Sequence, residues 1–449
     1  MKRKIYNKIK EWKAAWNGRT ALLLDGARRV GKSWVVNEFA HNEYKSHITL
    51  DFNNIADDIL KIFENHLTDL DTFFSLLSLM TDTPLYTRDS VIIFDEVQLY
   101  PKARAAIKYL VADGRYDYIE TGSLVSINHN VKDILIPSEE IRLEMHPMDF
   151  EEFLWACDKG SLYEYIRKQY ELKSPLDESV HRKIMELFRT YILVGGMPQA
   201  VLEYIDTKDF LKVEAIKDSI ISLYRSDITK YAARQASNVS LVFDSIPSLL
   251  SRHEKRIRPS LIRANSKMRT FESAIYWLNE SRVVNSCYAV TEPSLGFRLN
   301  IDTNKIKLYM ADTGLLVSMI FMKENDDENI YKKILKGKLE FNEGMIVENI
   351  ISQQLVASGF PLYFYSSNSS TNAAERMEID FLIKKKGVTS RHNIIPIEVK
   401  SGTRFGISSV IKFENKYKRY LNQTIVFYPG NLKEENGIVY LPIYMSGLL

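Results

Sequence analysis

The chain has 449 residues, 45% hydrophobic and 26% charged, with 60 Lys and Arg against 57 Asp and Glu for a net charge of +3. That length exceeds one ordinary core and implies about two to four domains, and so even a charge balance excludes any partner inferred from net charge alone. Cys157 and Cys287 lie far apart in no metal-ligand spacing, which argues against a disulfide scaffold and a zinc site.

The basic start, Met1 to Tyr6, leads into an amphipathic stretch instead of an apolar signal-peptide core. No window approaches about 18 uninterrupted apolar residues. The expectation is a cytoplasmic chain with no membrane partner.

Ala21 to Asp25 is a short apolar run with the pattern of a buried strand. Gly26-Ala27-Arg28-Arg29-Val30-Gly31-Lys32-Ser33 follows at once, and a helix is predicted from Trp34 to Ala40. This is the phosphate-binding loop pattern in its strand–loop–helix context. Glycines let the backbone wrap phosphate oxygens with its N–H groups pointing inward, and the helix adds the positive end of its dipole. Lys32 places an ammonium between β- and γ-phosphates, and the Ser33 hydroxyl can ligate Mg²⁺. Residues 26–34 are the expected nucleotide contacts.

About sixty residues on, Val91 to Phe94 is an apolar strand ending in Asp95-Glu96. Asp95 would support Mg²⁺ through water, and Glu96 would polarise the attacking water, with Lys32 as the other catalytic group. Tyr116 to Glu120 makes a third strand, ending at Thr121-Gly122-Ser123. Thr121 or Ser123 is placed to sense a γ-phosphate, and an ordinary strand-to-loop turn explains them equally. Strands near Ile48–Phe52 and Ile141–Met145 complete five, and their alternation with helices implies a parallel α/β sheet.

From Ser161 to about Lys230 the apolar spacing of three and four is helical. Arg252, Lys255, Arg256, Arg258, Arg263, Lys267 and Arg269 are then opposed only by Glu254 across 252–269. A helix at 271–278 and a hairpin after Arg282 complete the outline of a winged helix. The basic run can contact DNA phosphates, or it is a solvated face; Arg263 and Lys267, four apart, would share a helical face.

The last domain carries a helix from Phe341 to Ala357 with Glu343 and Glu348, a strand from Leu362 to Tyr365, and a Ser/Asn-rich loop from Ser366 to Asn372. Asp380, then Glu398 and Lys400 two apart on one strand face, resemble the D…E-x-K pattern of restriction-endonuclease-like folds. Asp380 and Glu398 could share Mg²⁺, Lys400 could activate water, and Glu348 could add a carboxylate. Alternatively the fold is kept without cleavage, or Glu398 and Lys400 simply pair.

Across nearly its whole length the chain resembles a prokaryotic family of AAA-type ATPases with a C-terminal domain of uncharacterised function. The resemblance rests on GARRVGKS at 26–33, IIFDE at 92–96, ETGS at 120–123, HPMDFEEFL at 146–154, YILVGGMPQAV at 191–201, MADTGLL at 310–316, and EIDFLI and PIEVKSG in the last quarter. It implies ATP as the nucleotide and an additional-strand sheet of order 5-1-4-3-2. It also brings Pro198 near a nucleotide-touching Gly-x-Pro element, and Arg142 near an arginine that approaches nucleotide.

The expected domains are a P-loop ATPase at 1–155, a helical lid at 156–235, a winged helix at 236–330 and an endonuclease-like domain at 331–449. Three functions stand open: an Mg²⁺-dependent ATPase coupling nucleotide state to downstream domains, an ATP-gated DNA-binding or DNA-cleaving enzyme, and a slowly hydrolysing regulatory or scaffold switch that oligomerises with nucleotide.

Overall fold

The computed structural model describes residues 1–122, 138–294, 296–321, 334–335, 343–367, 375–387 and 392–449. They form two compact units, Met1–His146 and Pro147–Leu449. No helix among the described residues is long and apolar enough to cross a membrane.

The first unit opens with α1 (Ile5–Trp16), which buries Ile5, Ile9 and Trp12 along one stripe. Then come β1 (Ala21–Gly26), α2 (Lys32–Glu43), β2 (Ser46–Asp51), α3 (Asp57–Asn65), α4 (Leu70–Met80), β3 (Ser90–Asp95), α5 (Pro101–Asp113), β4 (Asp117–Gly122) and β5 (Glu140–Met145). The strands are all parallel, in the order β2-β3-β4-β1-β5. Read from the other edge, that is 5-1-4-3-2.

Every residue of β1, β3 and β4 is buried, because a central parallel strand is covered on both faces. Alternation divides their side chains. Leu22, Leu24, Val91, Ile93 and Ile119 pack with Ile9, Trp12, Val35 and Phe39. Leu23, Ile92, Phe94 and Tyr118 pack with Phe63, Phe73, Leu77 and Ile107 on the other side. The register aligns Asp25 with Gly122 and Phe94 with Glu120. The carboxyl ends of β1, β3 and β4 therefore emerge side by side, where open α/β sheets carry their sites.

The second unit begins with α6 (Phe150–Ala156), entered through a reciprocal cap between Asp149 and Glu152. Four helices fill the expected helical stretch: α7 (Gly160–Glu171), α8 (Glu178–Val194), α9 (Pro198–Thr207) and α10 (Phe210–Tyr231). After α11 (Ala236–Leu250), α12 (Pro259–Ile262) and α13 (Glu272–Glu280) come β6 (Val284–Val290), β7 (Ile301–Met310), α14 (Thr313–Phe321) and α15 (Glu343–Ala357). The chain closes with β8 (Tyr363–Ser367), β9 (Met377–Lys384), β10 (Ile394–Val399), α16 (Ser408–Tyr417), β11 (Thr424–Tyr428), β12 (Lys433–Glu435) and β13 (Ile438–Pro442).

The eight strands of this unit form one mixed sheet, β12-β13-β11-β10-β9-β8-β6-β7. The hairpin β6–β7, at the place where the winged-helix outline expected one, follows α13. It does not lie free as a wing: β6 pairs in parallel with β8 through Tyr288–Tyr363 and Ala289–Phe364. The sheet thus joins strands from both sides of residues 330 and 331, and the two compact units part between His146 and Pro147. The expected loop at 366–372 starts later, since β8 runs to Ser367; residues 368–372 lie outside the described residues, as do Phe341 and Asn342 at the start of the expected helix.

Three quoted motifs meet in one buried polar hub. Asp312 accepts from the Gly196 amide (2.5 Å) and the Leu315 amide (3.0 Å), while the Gly196 carbonyl accepts from Met148 (2.7 Å). The Tyr191 hydroxyl donates to the Met148 carbonyl and accepts from Gln353 and Gln354 of α15. Pro198 opens α9, where its missing N–H costs nothing. Within this unit the Gly-x-Pro element is a turn tied to Asp312, whose carboxyl burial pushes up.

Candidate functional site

The strand–loop–helix of the first unit is built tightly at Gly26 and Gly31. A Cβ on Gly26 would stand 2.4 Å from the Met145 carbonyl oxygen, so any larger residue would push the loop off β5. Gly31 has φ 99°, a conformation side chains oppose. Arg28 and Arg29 are exposed, Val30 is buried, and Ala27 is buried beneath the loop. Arg3 fastens the turn from below: its guanidinium donates to the Val30 carbonyl (2.8 Å) and the His146 carbonyl (2.6 Å).

Lys32 is 6% exposed, and its ammonium donates to the carbonyls of Gly26 (2.8 Å) and Ala27 (3.1 Å). Burial lowers its pKa, opposed by Glu96, Asp25 and Asp95. Lys32, Ser33 and Trp34 lie in the first turn of α2, whose leading amides have no acceptor within the helix. Trp34 is 47% exposed.

The ends of β3 and β4 close on this turn. Ser33 Oγ donates to Asp95 Oδ1 at 2.9 Å, and the Thr121 hydroxyl donates to the same oxygen. Glu96 follows with φ 55°, a strained state for a non-glycine residue that clusters at functional sites. Its amide donates to Thr121 Oγ1 (3.3 Å) and its carboxylate accepts from the Gln98 side chain. Thr121 thus braces both acids. Ser123, the other sensor candidate, lies outside the described residues.

Arg142 is exposed and donates to the buried Asp25 at 3.0 Å. Behind the site, Arg104 is buried between Glu120 (2.8 Å) and Glu140 (2.9 Å). Burial raises both carboxyls, Glu120 to about 8. Arg3, Gln98 and Arg104 were missed in the sequence, because their partners are remote or, for Gln98, because glutamine carries no motif.

The loop closed on Met145, the lysine and serine in one helical turn, and hydroxyls converging on Asp95 fit a triphosphate with Mg²⁺. Residues 18–154 match an AAA domain. The first unit is accordingly a P-loop domain of AAA type. Residues 185–326 match a domain of unknown function (DUF8612), and residues 343–445 match another (DUF4143). No curated protein matches the chain.

Among solved structures, the Walker-type ATPase of Pyrococcus abyssi is 16% identical with a TM-score of 0.41, over 71% of this chain and 95% of that one. The Aeropyrum pernix Orc1 protein in complex with DNA is 13% identical with a TM-score of 0.27, over 72% and 93%. A signal-transduction ATPase with a tetratricopeptide-repeat sensor from Pyrococcus horikoshii is 12% identical with a TM-score of 0.27, over 80% and 49%.

The second unit gathers the other expected carboxylates around a residue the sequence did not single out. Lys307, on β7, is 0% exposed. Its ammonium lies 3.3 Å from Glu348, 2.8 Å from Glu378 and 3.8 Å from Asp380. Glu348 also accepts from Lys255 and from the Tyr309 hydroxyl. Asp380 Oδ2 accepts from the Val399 amide (2.9 Å), and Lys400 pairs with Glu398 (2.7 Å). Burial would raise Glu348, but Lys255 and Lys307 hold it down to about 2. Burial lifts Asp380 to about 6, helped by Glu348, and Glu398 to about 8, helped by Asp380.

This donor set does not fit a metal. The oxygens that Glu348 and Asp380 would offer already face lysine, tyrosine or a backbone amide. Among the described residues, no three His, Cys, Asp or Glu side chains are grouped so as to hold an ion.

The basic run is also divided by the structure. Lys255 points to Glu348, while Arg256 and Arg258 both hold Glu254. Arg252, Arg263, Lys267 and Arg269 are exposed. Arg263 and Lys267 do not share a helical face, because α12 ends at Ile262 and both residues are extended.

Proposed function

We propose that the chain binds ATP with Mg²⁺ at the P-loop and hydrolyses it. The observation that carries this reading is the convergence of Ser33 and Thr121 on Asp95, with Glu96 next in the chain and oriented by Gln98. Lys32 exchanges its two carbonyl acceptors for β- and γ-phosphate oxygens, and the amides of the loop and of the first turn of α2 hold the phosphate chain. Ser33 and Asp95 would hold the metal, which neutralises developing charge on the phosphates. Glu96 accepts the proton of the attacking water. Thr121 keeps the two acids in register, so the hydrolytic water and the metal ligands are set by one hydroxyl. Nucleotide state then biases the downstream unit, as nucleotide switches do.

The test is ATP binding and Mg²⁺-dependent turnover by the wild type and Lys32→Ala. Binding and turnover in the wild type, with both lost in the variant, supports the reading. Equal turnover in the two would refute it, and tight binding with negligible turnover in the wild type would favour the switch.

A second reading, DNA contact by the downstream unit, is favoured by the exposure of Arg252, Arg263, Lys267 and Arg269. Reversing Arg252, Lys267 and Arg269 to Glu should weaken DNA binding uniformly across sequences and lower its salt slope by about one per lost phosphate contact. An unchanged slope would remove the reading.

A further inference from the structure

We propose that Lys307 is a resident cation: its ammonium, held among Glu348, Glu378 and Asp380, takes up the Asp380 carboxylate that a divalent metal would share with Glu398 in phosphodiester-cutting sites of the D…E-x-K pattern. The second unit therefore keeps that pattern as an internal ionic joint between β7, α15 and β9, and does not cut nucleic acid.

Lys307 has no solvent to retreat to. It is fully buried, its ammonium lies 4.9 Å from the centre of the Phe364 ring, and its backbone pairs with Cys287 across the β6–β7 hairpin. A lysine so placed survives only where its charge is met, and three carboxylates meet it at 2.8, 3.3 and 3.8 Å.

Two of the three carboxylates meet other donors as well: Glu348, and Asp380 through the Val399 amide. Glu348 is engaged on both oxygens, Oε1 by Lys307 and Tyr309 and Oε2 by Lys255. The backbone at Arg256 bridges to Lys307, and the Ile257 amide donates to the Ile306 carbonyl (2.7 Å). The segment bearing Lys255 is thereby fixed to the strand bearing Lys307, so the two ammoniums arrive together.

What remains for a metal is small. Glu398 Oε2 is buried with no hydrogen-bond partner among the described residues, and Asp380 Oδ1 faces Lys307. Those are the oxygens that Asp380 and Glu398 leave for an ion to share, and the ammonium fixed 3.8 Å from Asp380 Oδ1 repels a divalent cation there. This inference does not rest on the ATPase reading, since none of its residues belongs to the P-loop unit.

The experiment is Mn²⁺ binding to the full chain without nucleotide, followed by the loss of the free-ion paramagnetic resonance signal, together with plasmid cleavage in Mg²⁺ and Mn²⁺. The expected results are no Asp380-dependent Mn²⁺ site in the wild type, no cleavage, and one new site per chain in Lys307→Ala that disappears in Lys307→Ala/Asp380→Asn. A wild-type site removed by Asp380→Asn but not by Asp95→Asn would overturn the proposal, as would Asp380-dependent cleavage. A folded Lys307→Ala that gains no site would also overturn it. If Lys307→Ala fails to fold, the two wild-type measurements decide.

Discussion

Ser33 Oγ donates to Asp95 Oδ1 across 2.9 Å, although the two residues lie on different elements of the first unit. Helix α2 brings the hydroxyl and strand β3 brings the carboxylate, so the pair forms only when loop and sheet are both in place. Asp95→Asn should therefore weaken ATP binding by about tenfold or more in Mg²⁺ and leave binding in EDTA nearly unchanged. Nucleotide titrations under the two conditions check this; equal loss in both would mean that Asp95 shapes the loop and not the metal.

Gly26→Ala should destabilise the strand-to-loop junction by about 1 to 3 kcal/mol, the cost of overpacking, because its Cβ would fall 2.4 Å from a backbone oxygen that cannot move without shifting β5. Hydrogen exchange at the β1 amides reads the loss locally.

Arg104 holds Glu120 and Glu140 out of water on a single guanidinium. Arg104→Leu leaves buried carboxylates uncompensated and should cost about 3 to 5 kcal/mol. Adding Glu120→Gln should recover part of that loss, a non-additivity expected of neighbours. Denaturant unfolding of the two single variants and the double variant checks it; simple additivity would contradict the clamp.

Two limbs of the pH–stability profile should carry opposite signs in the second unit. Glu348 is depressed to about 2. Its contribution is fully present above the unfolded value near 4.3 and is lost as pH falls toward 2. Asp380 and Glu398 are raised to about 6 and about 8. Their contribution is present below about 4 and is lost as pH rises through 6 and then 8. Glu348→Gln should flatten the acid limb and Glu398→Gln the neutral one, as read by unfolding of each variant between pH 2 and 9.

The first unit was largely legible because buried parallel strands are continuous apolar runs, and because the P-loop and Asp95-Glu96 are local in sequence. Less could be read where partners are distant. Arg3 looked like part of a basic N-terminus until Val30 and His146 were brought to it, and Arg104 is an unremarked helix residue until β4 and β5 supply its acids. Lys307 is one polar position between Ile306 and Leu308 in a strand, and nothing nearby says that Glu348, Glu378 and Asp380 converge on it. Lys255 was read with its basic neighbours, although its charge is directed inward. The parallel pairing of β6 with β8 is a long-range register that no local pattern encodes, which is why the hairpin looked like a separate wing.

The most direct test of the account is Glu96→Gln, measured for ATP binding and for turnover in Mg²⁺. If Glu96 accepts the proton of the attacking water, ATP affinity stays within a few-fold of wild type while turnover falls about 10²- to 10⁴-fold. Turnover that survives the substitution would contradict the assignment of Glu96 and, with it, the hydrolytic role of this site.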